Sequence, residues 1–146
     1  MILFDVNVLV YCFRTDAPRH REFRAWMESQ IAASAPFGFS ELVGAGFLRV
    51  VTNPKVFDPP APVERAIGFL EALLGQPNCV VVRPGPRHWP VFVDLCRRVQ
   101  ARGNLIPDAY LAALAIESGS EWVTTDRDYS RFPGLNWRHP LDQAHR

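Results

Sequence analysis

The chain opens Met1-Ile-Leu-Phe-Asp5-Val-Asn7-Val-Leu-Val-Tyr11, an almost unbroken apolar run with one carboxylate inside it. A run of this kind, rich in β-branched residues, reads as a strand buried on both faces of a parallel sheet. A carboxylate within such a strand is costly unless something satisfies it, so Asp5 demands a reason. On a strand, Asp5 and Asn7 share one side while Val6 and Val8 face the other. The alternative is a structural Asp5 that caps the next turn.

Downstream, short apolar segments alternate with amphipathic ones. Ala35-Pro-Phe-Gly-Phe39, Cys79-Val-Val-Val82 and Glu121 to Asp126 read as strands, and Leu135 to Pro140 as a last edge strand. A helix carrying Phe23, Trp26, Met27 and Ile31 follows a polar turn in which Thr15 or Asp16 is the expected cap and Pro18 lies in the first turn. Its basic cluster, Arg14, Arg19, His20, Arg21 and Arg24, reads as a solvated face ahead of the alternative, a contact for a phosphate backbone. Ser40 caps a helix from about Leu42 to Val51, with Glu41 in its first turn and Pro54 beyond its end. Gly44 and Gly46 inside that helix suit close approach of another helix or chain, or ordinary internal packing. Further helices follow around Ala66–Leu74, His88–Val99 and Pro107–Ile116. Strands alternating with helices imply an α/β fold with a parallel sheet and right-handed crossovers.

A length of 146 residues suits one compact domain spanning 1–146, and 48% hydrophobic with 21% charged residues is an ordinary globular composition. The net charge of +1 excludes bulk charge as an argument for nucleic-acid binding. Lys55 is the lone lysine, and the three cysteines, Cys12, Cys79 and Cys96, show no CxxC spacing. Odd, unpaired cysteines point to reduced thiols in a cytoplasmic protein. Histidines and cysteines lack the spacing of a zinc site. No stretch approaches the about 18 apolar residues of a membrane span, and no signal peptide is evident.

In a parallel α/β sheet, strand C-termini and the following helix N-termini share the edge where ligands bind. Four acids are expected there: Asp5 near the end of the first strand, Glu41 after the second, Asp108 at a helix start and Asp126 at the end of the fourth. Carboxylates crowded in one cleft repel, so cations belong among them. Oxygen ligands without His or Cys select hard ions, Mg²⁺ or Mn²⁺. A cleft so filled suits metal-dependent hydrolysis of phosphodiesters. Singly, Glu41 and Asp108 also read as helix-start charges.

Four segments carry a resemblance: Asp5-Val-Asn-Val-Leu-Val, Ser40-Glu41-Leu, Pro107-Asp108-Ala-Tyr-Leu-Ala-Ala-Leu-Ala and Thr124-Thr125-Asp126-Arg-Asp128-Tyr. Together they resemble a PIN domain, and closely the VapC toxins of bacterial toxin–antitoxin pairs, which implies a three-layer α/β/α sandwich with a central parallel sheet of four to five strands. Phe47-Leu-Arg-Val-Val-Thr-Asn-Pro-Lys-Val-Phe and Trp137-Arg-His-Pro-Leu resemble one VapC subgroup. The resemblance implies an Mg²⁺- or Mn²⁺-dependent endoribonuclease, with Asp5, Glu41, Asp108 and Asp126 as the catalytic acids. Asp5 and Asp108 would be the principal metal ligands, and Asn7 and Thr125 their supports. Asp128 is a second candidate for the place given to Asp126. The family also implies a homodimer and a VapB-type antitoxin whose C-terminal segment crosses the cleft. Two other readings stand beside it. One is a catalytically silent binding module of the same fold. The other is a haloacid-dehalogenase-type phosphatase built on Asp5-x-Asn7, which lacks the second acid and a suitably placed lysine.

Overall fold

The computed structural model describes residues 1–142; the last four positions of the expected 1–146 domain lie outside the described residues. Five short strands form one wholly parallel sheet: β1 Ile2–Phe4, β2 Phe37–Phe39, β3 Cys79–Val81, β4 Glu121–Val123 and β5 Trp137–Arg138. Their order is β3-β2-β1-β4-β5. In register, Ile2 lies between Phe37 and Glu121. Six helices connect the strands: α1 Val6–Phe13, α2 His20–Ala32, α3 Glu41–Val51, α4 Val63–Leu74, α5 His88–Val99 and α6 Leu105–Ser118. Right-handed crossovers put α1 to α4 on one face of the sheet and α5 and α6 on the other. The helix contacts divide the same way, α1 against α2 and α3, α3 against α4, and α5 against α6. The result is the expected three-layer α/β/α sandwich with its core on both sides of β1.

The opening run is where the expectation needs correction. The strand stops at Phe4, and the apolar residues from Val6 onward are helix α1. Val8, Leu9, Val10 and Cys12 are all buried there, so the helix is packed on most sides. A helix buried in that way has no polar stripe, and its sequence is indistinguishable by periodicity from a buried strand. Asp5 is its N-cap: the Val6 amide donates to Asp5 Oδ1 at 2.7 Å. Asp5 and Asn7 therefore share a helix start, not one side of a strand.

The cap expected from Thr15 or Asp16 also fails. The helix begins only at His20, so Arg19 stands at the N-cap of α2 with φ 57° and no side-chain cap, while Asp16 pairs with Arg14. Arg14 in turn leaves the solvated cluster: it donates to the Pro59 carbonyl at 3.1 Å and lies over the Phe57 ring at 4.2 Å. Arg19 and Arg24 pair with Glu22 and Glu28 on the exposed face, as the solvated reading requires.

The glycines of α3 serve internal packing. A Cβ on Gly46 would stand 2.9 Å from Val6 Cγ2, and one on Gly44 2.7 Å from the Phe39 ring. Glycine at these two places lets α3 close on α1 and on the sheet. That approach brings the last turn of α3 to the same sheet edge as Asp5.

Candidate active site

The C-terminal edge of the sheet opens into a cleft of about 600 Å³ lined by Asp5, Asp108 and Asp126. Asp5 enters from the end of β1, Asp108 from the first turn of α6, and Asp126 from the segment after β4. Three of the four expected acids thus converge. Asp126 lies past the strand end at Val123 and caps a short 3-10 turn, Arg127–Arg131, by accepting from the Asp128 amide at 2.9 Å. Asp128 is exposed and does not line the cleft.

Asp5 is 6% exposed, and its carboxylate is held on three sides. Thr124 Oγ1 donates to Oδ2 at 2.7 Å and Asn7 Nδ2 donates to the same oxygen at 3.2 Å, while Oδ1 takes the Val6 amide. Burial pushes the carboxyl up to about 6, against the lowering effect of the Thr124 and Val6 hydrogen bonds; the charges of Asp108 and Asp126 push the same way as burial. Asp108 is also raised, first by burial and then by Asp126 and Asp128, while the Tyr129 hydroxyl at 3.3 Å opposes the rise. Tyr129 is itself buried, and burial with the nearby acids raises its phenol far above the usual range. It therefore stays a neutral donor.

Glu41 is placed differently. It begins α3 beyond its Ser40 cap, whose side chain accepts from the Val43 amide. Its carboxylate is exposed and pairs with Arg83, Nε to Oε1 at 2.8 Å and Nη2 to Oε2 at 3.3 Å. Arg83 holds the Glu41 carboxyl below its ordinary value. Glu41 does not line the cleft that the other three share.

Thr124 is the site residue that the sequence reading passes over in favour of Thr125. It is fully buried, and its hydroxyl also accepts from the Asp126 amide at 3.0 Å. One side chain thus positions two of the acids. Thr125 contributes through its backbone, its amide donating to Asn7 Oδ1 at 3.1 Å. The signal for Thr124 is its place two residues before Asp126, where a threonine hydroxyl readily accepts from a local amide.

The donor set fits a hard divalent ion. Among the described residues no three His, Cys, Asp or Glu side chains form a closed cage. Mg²⁺ does not need one, since it keeps several waters and takes one or two carboxylates. A carboxylate offers about four acceptor positions, and Asp5 fills three of them with hydrogen bonds. One remains, on Oδ1, and Asp108 lines the same cleft. Burial raises both carboxyls first, and the charges of neighbouring acids add to it, so a cation in the cleft would favour their ionised forms.

The PIN domain family model matches residues 2–135. Ribonuclease VapC43 of Mycobacterium tuberculosis is 45% identical over 146 residues, covering 99% of each chain. Ribonuclease VapC25 of the same organism is 43% identical over 140 residues, covering 96% of this chain and 99% of that protein. Among solved structures, VapBC-1 from nontypeable Haemophilus influenzae aligns with a TM-score of 0.70 at 17% identity, covering 97% of this chain and 100% of that one, a likeness of fold. The chain belongs to the PIN-domain family, within its VapC ribonuclease branch. The phosphatase reading of Asp5-x-Asn7 falls with that membership. No helix among the described residues is long and apolar enough to cross a membrane.

Proposed function

We propose that this protein is the toxin of a type II toxin–antitoxin pair, an Mg²⁺- or Mn²⁺-dependent endoribonuclease. The observation that carries the reading is the convergence of Asp5, Asp108 and Asp126 in one cleft. The 45% identity to VapC ribonucleases over the full length supports the substrate class.

Asp5 and Asp108 are the residues that would hold the metal. When bound, it would offset the phosphate charge and lower the pKa of a water. The chain's own residues prepare the ground. Thr124, Asn7 and the Val6 amide hold the Asp5 carboxylate in one orientation before any ligand arrives. Tyr129 donates to Asp108 and turns its carboxylate into the cleft. Asp126, anchored through its amide to Thr124, would orient the attacking water. Glu41 is the remaining acid, and it joins the site by leaving Arg83. The acidic cleft favours an antitoxin segment that carries a guanidinium. A homodimer and a cytoplasmic location complete the reading, the first tested by light scattering on the purified chain.

The deciding experiment incubates the protein with total RNA and Mg²⁺ or Mn²⁺, beside EDTA and Asp5→Asn controls. Discrete fragments absent from both controls support the nuclease. A protein that cuts nothing and binds no Mn²⁺ by calorimetry is the silent binding module instead.

A further inference from the structure

The cleft has a second pole, and the acids do not explain it. Arg49, in the last turn of α3, is exposed and is the one basic side chain among the described residues that line the cleft. It makes no ion pair there, although four carboxylates line the cavity: Asp5, Asp108, Asp126, and Asp16, which pairs with Arg14. Val10, Val50 and Phe57 line the same cleft. The Phe57 ring is held by Arg14, which lies over it at 4.2 Å while bound to Asp16 and to the Pro59 carbonyl and does not itself line the cleft. A rigid aromatic and two aliphatic side chains in one cleft with an unpaired guanidinium match the two halves of a nucleotide, an apolar base face and a phosphate.

Resting on the nuclease reading, we propose that this pole docks the RNA residue next to the cut. Arg49 holds a backbone phosphate, and the unpaired base lies against Phe57, Val10 and Val50. The acids then act on the adjoining phosphodiester. A base can enter the cleft only if it is not paired, so the substrate is single-stranded at the cut. A purely structural Arg49, serving the negative end of the α3 dipole, would favour helix stability and nothing else.

The test uses the full chain carrying Asp5→Asn, which binds without cutting, and a fluorescent single-stranded oligoribonucleotide pool of random sequence. Adding Arg49→Gln should weaken binding and flatten the slope of log K against log salt by about 0.7, the loss of one single-strand phosphate contact. Adding Phe57→Leu should weaken binding roughly tenfold and leave the salt slope unchanged. An unlabelled duplex should compete poorly. Thermal unfolding of each variant separates binding from folding, and the exposed Arg49 position keeps the test valid even if Phe57→Leu unfolds. Unchanged affinity and slope in Arg49→Gln, or a duplex that competes as well as single strands, overturns the docking pole while cleavage by the native protein keeps the nuclease. A parent that binds no RNA, with a native protein that cuts none, overturns both.

Discussion

Thr124 Oγ1 lies 2.7 Å from Asp5 Oδ2, across 119 positions of sequence, and both residues are buried. This contact ties the end of β4 to the end of β1 and sets the orientation of the most enclosed acid. Thr124→Val removes the donor to Asp5 and the acceptor for the Asp126 amide at nearly constant volume. Losing hydrogen bonds to a buried charge costs about 1–3 kcal/mol. Urea unfolding of the metal-free protein should show that loss. The Asp5 carboxyl should rise further above 6, visible by carboxylate NMR titration.

Asp5 also makes metal-free stability depend on pH. Its carboxyl titrates near 6 in the folded chain against an ordinary 3.8, so the folded state binds the extra proton between those values. Stability therefore falls as pH rises from about 4 to about 6, and the loss is constant above that. The full difference is on the order of 3 kcal/mol. Asp5→Asn, in EDTA, should lack this fall and unfold at a higher temperature than the native chain at neutral pH. A native chain that shows no such fall relative to Asp5→Asn would place Asp5 as a stabilising structural acid.

Gly46 sets how closely α3 approaches α1. The added methyl of Gly46→Ala would meet Val6 Cγ2 at 2.9 Å, a β-branched side chain with little rotamer freedom in a helix. Overpacking of this kind costs about 1–3 kcal/mol, offset in part by the better helix propensity of alanine. Denaturant unfolding should show a net loss. RNA cleavage should fall too, because Val6 and Val50 line the cleft from the two helices that are forced apart.

Arg83 governs the fourth acid. Because the Glu41–Arg83 pair is fully exposed, Arg83→Gln should leave the melting temperature unchanged. The Glu41 carboxyl should return towards its ordinary value, measured by NMR titration. If Glu41 serves the site, Mn²⁺ should bind Arg83→Gln more tightly in calorimetry, and Glu41→Gln should cancel that gain.

The sequence by itself determined the alternation of strands and helices, the parallel sheet and the edge to which the acids run. These follow from local pattern: β-branched runs, caps such as Ser40, and stops such as Pro54. It also supplied the family, through four short segments in order. The tertiary structure decided what lies between those patterns. Whether Val6 to Phe13 is strand or helix depends on the neighbours that bury it, since burial on most sides erases the period that separates the two. Whether Thr124 or Thr125 supports Asp5 depends on which side chain turns inward after β4. Whether Glu41 joins the cleft or pairs outside it depends on Arg83, 42 positions away. A carboxylate's partner is chosen by distance in space, and only the packed fold brings Asp5, Asp108 and Asp126 into one cleft while leaving Glu41 to Arg83.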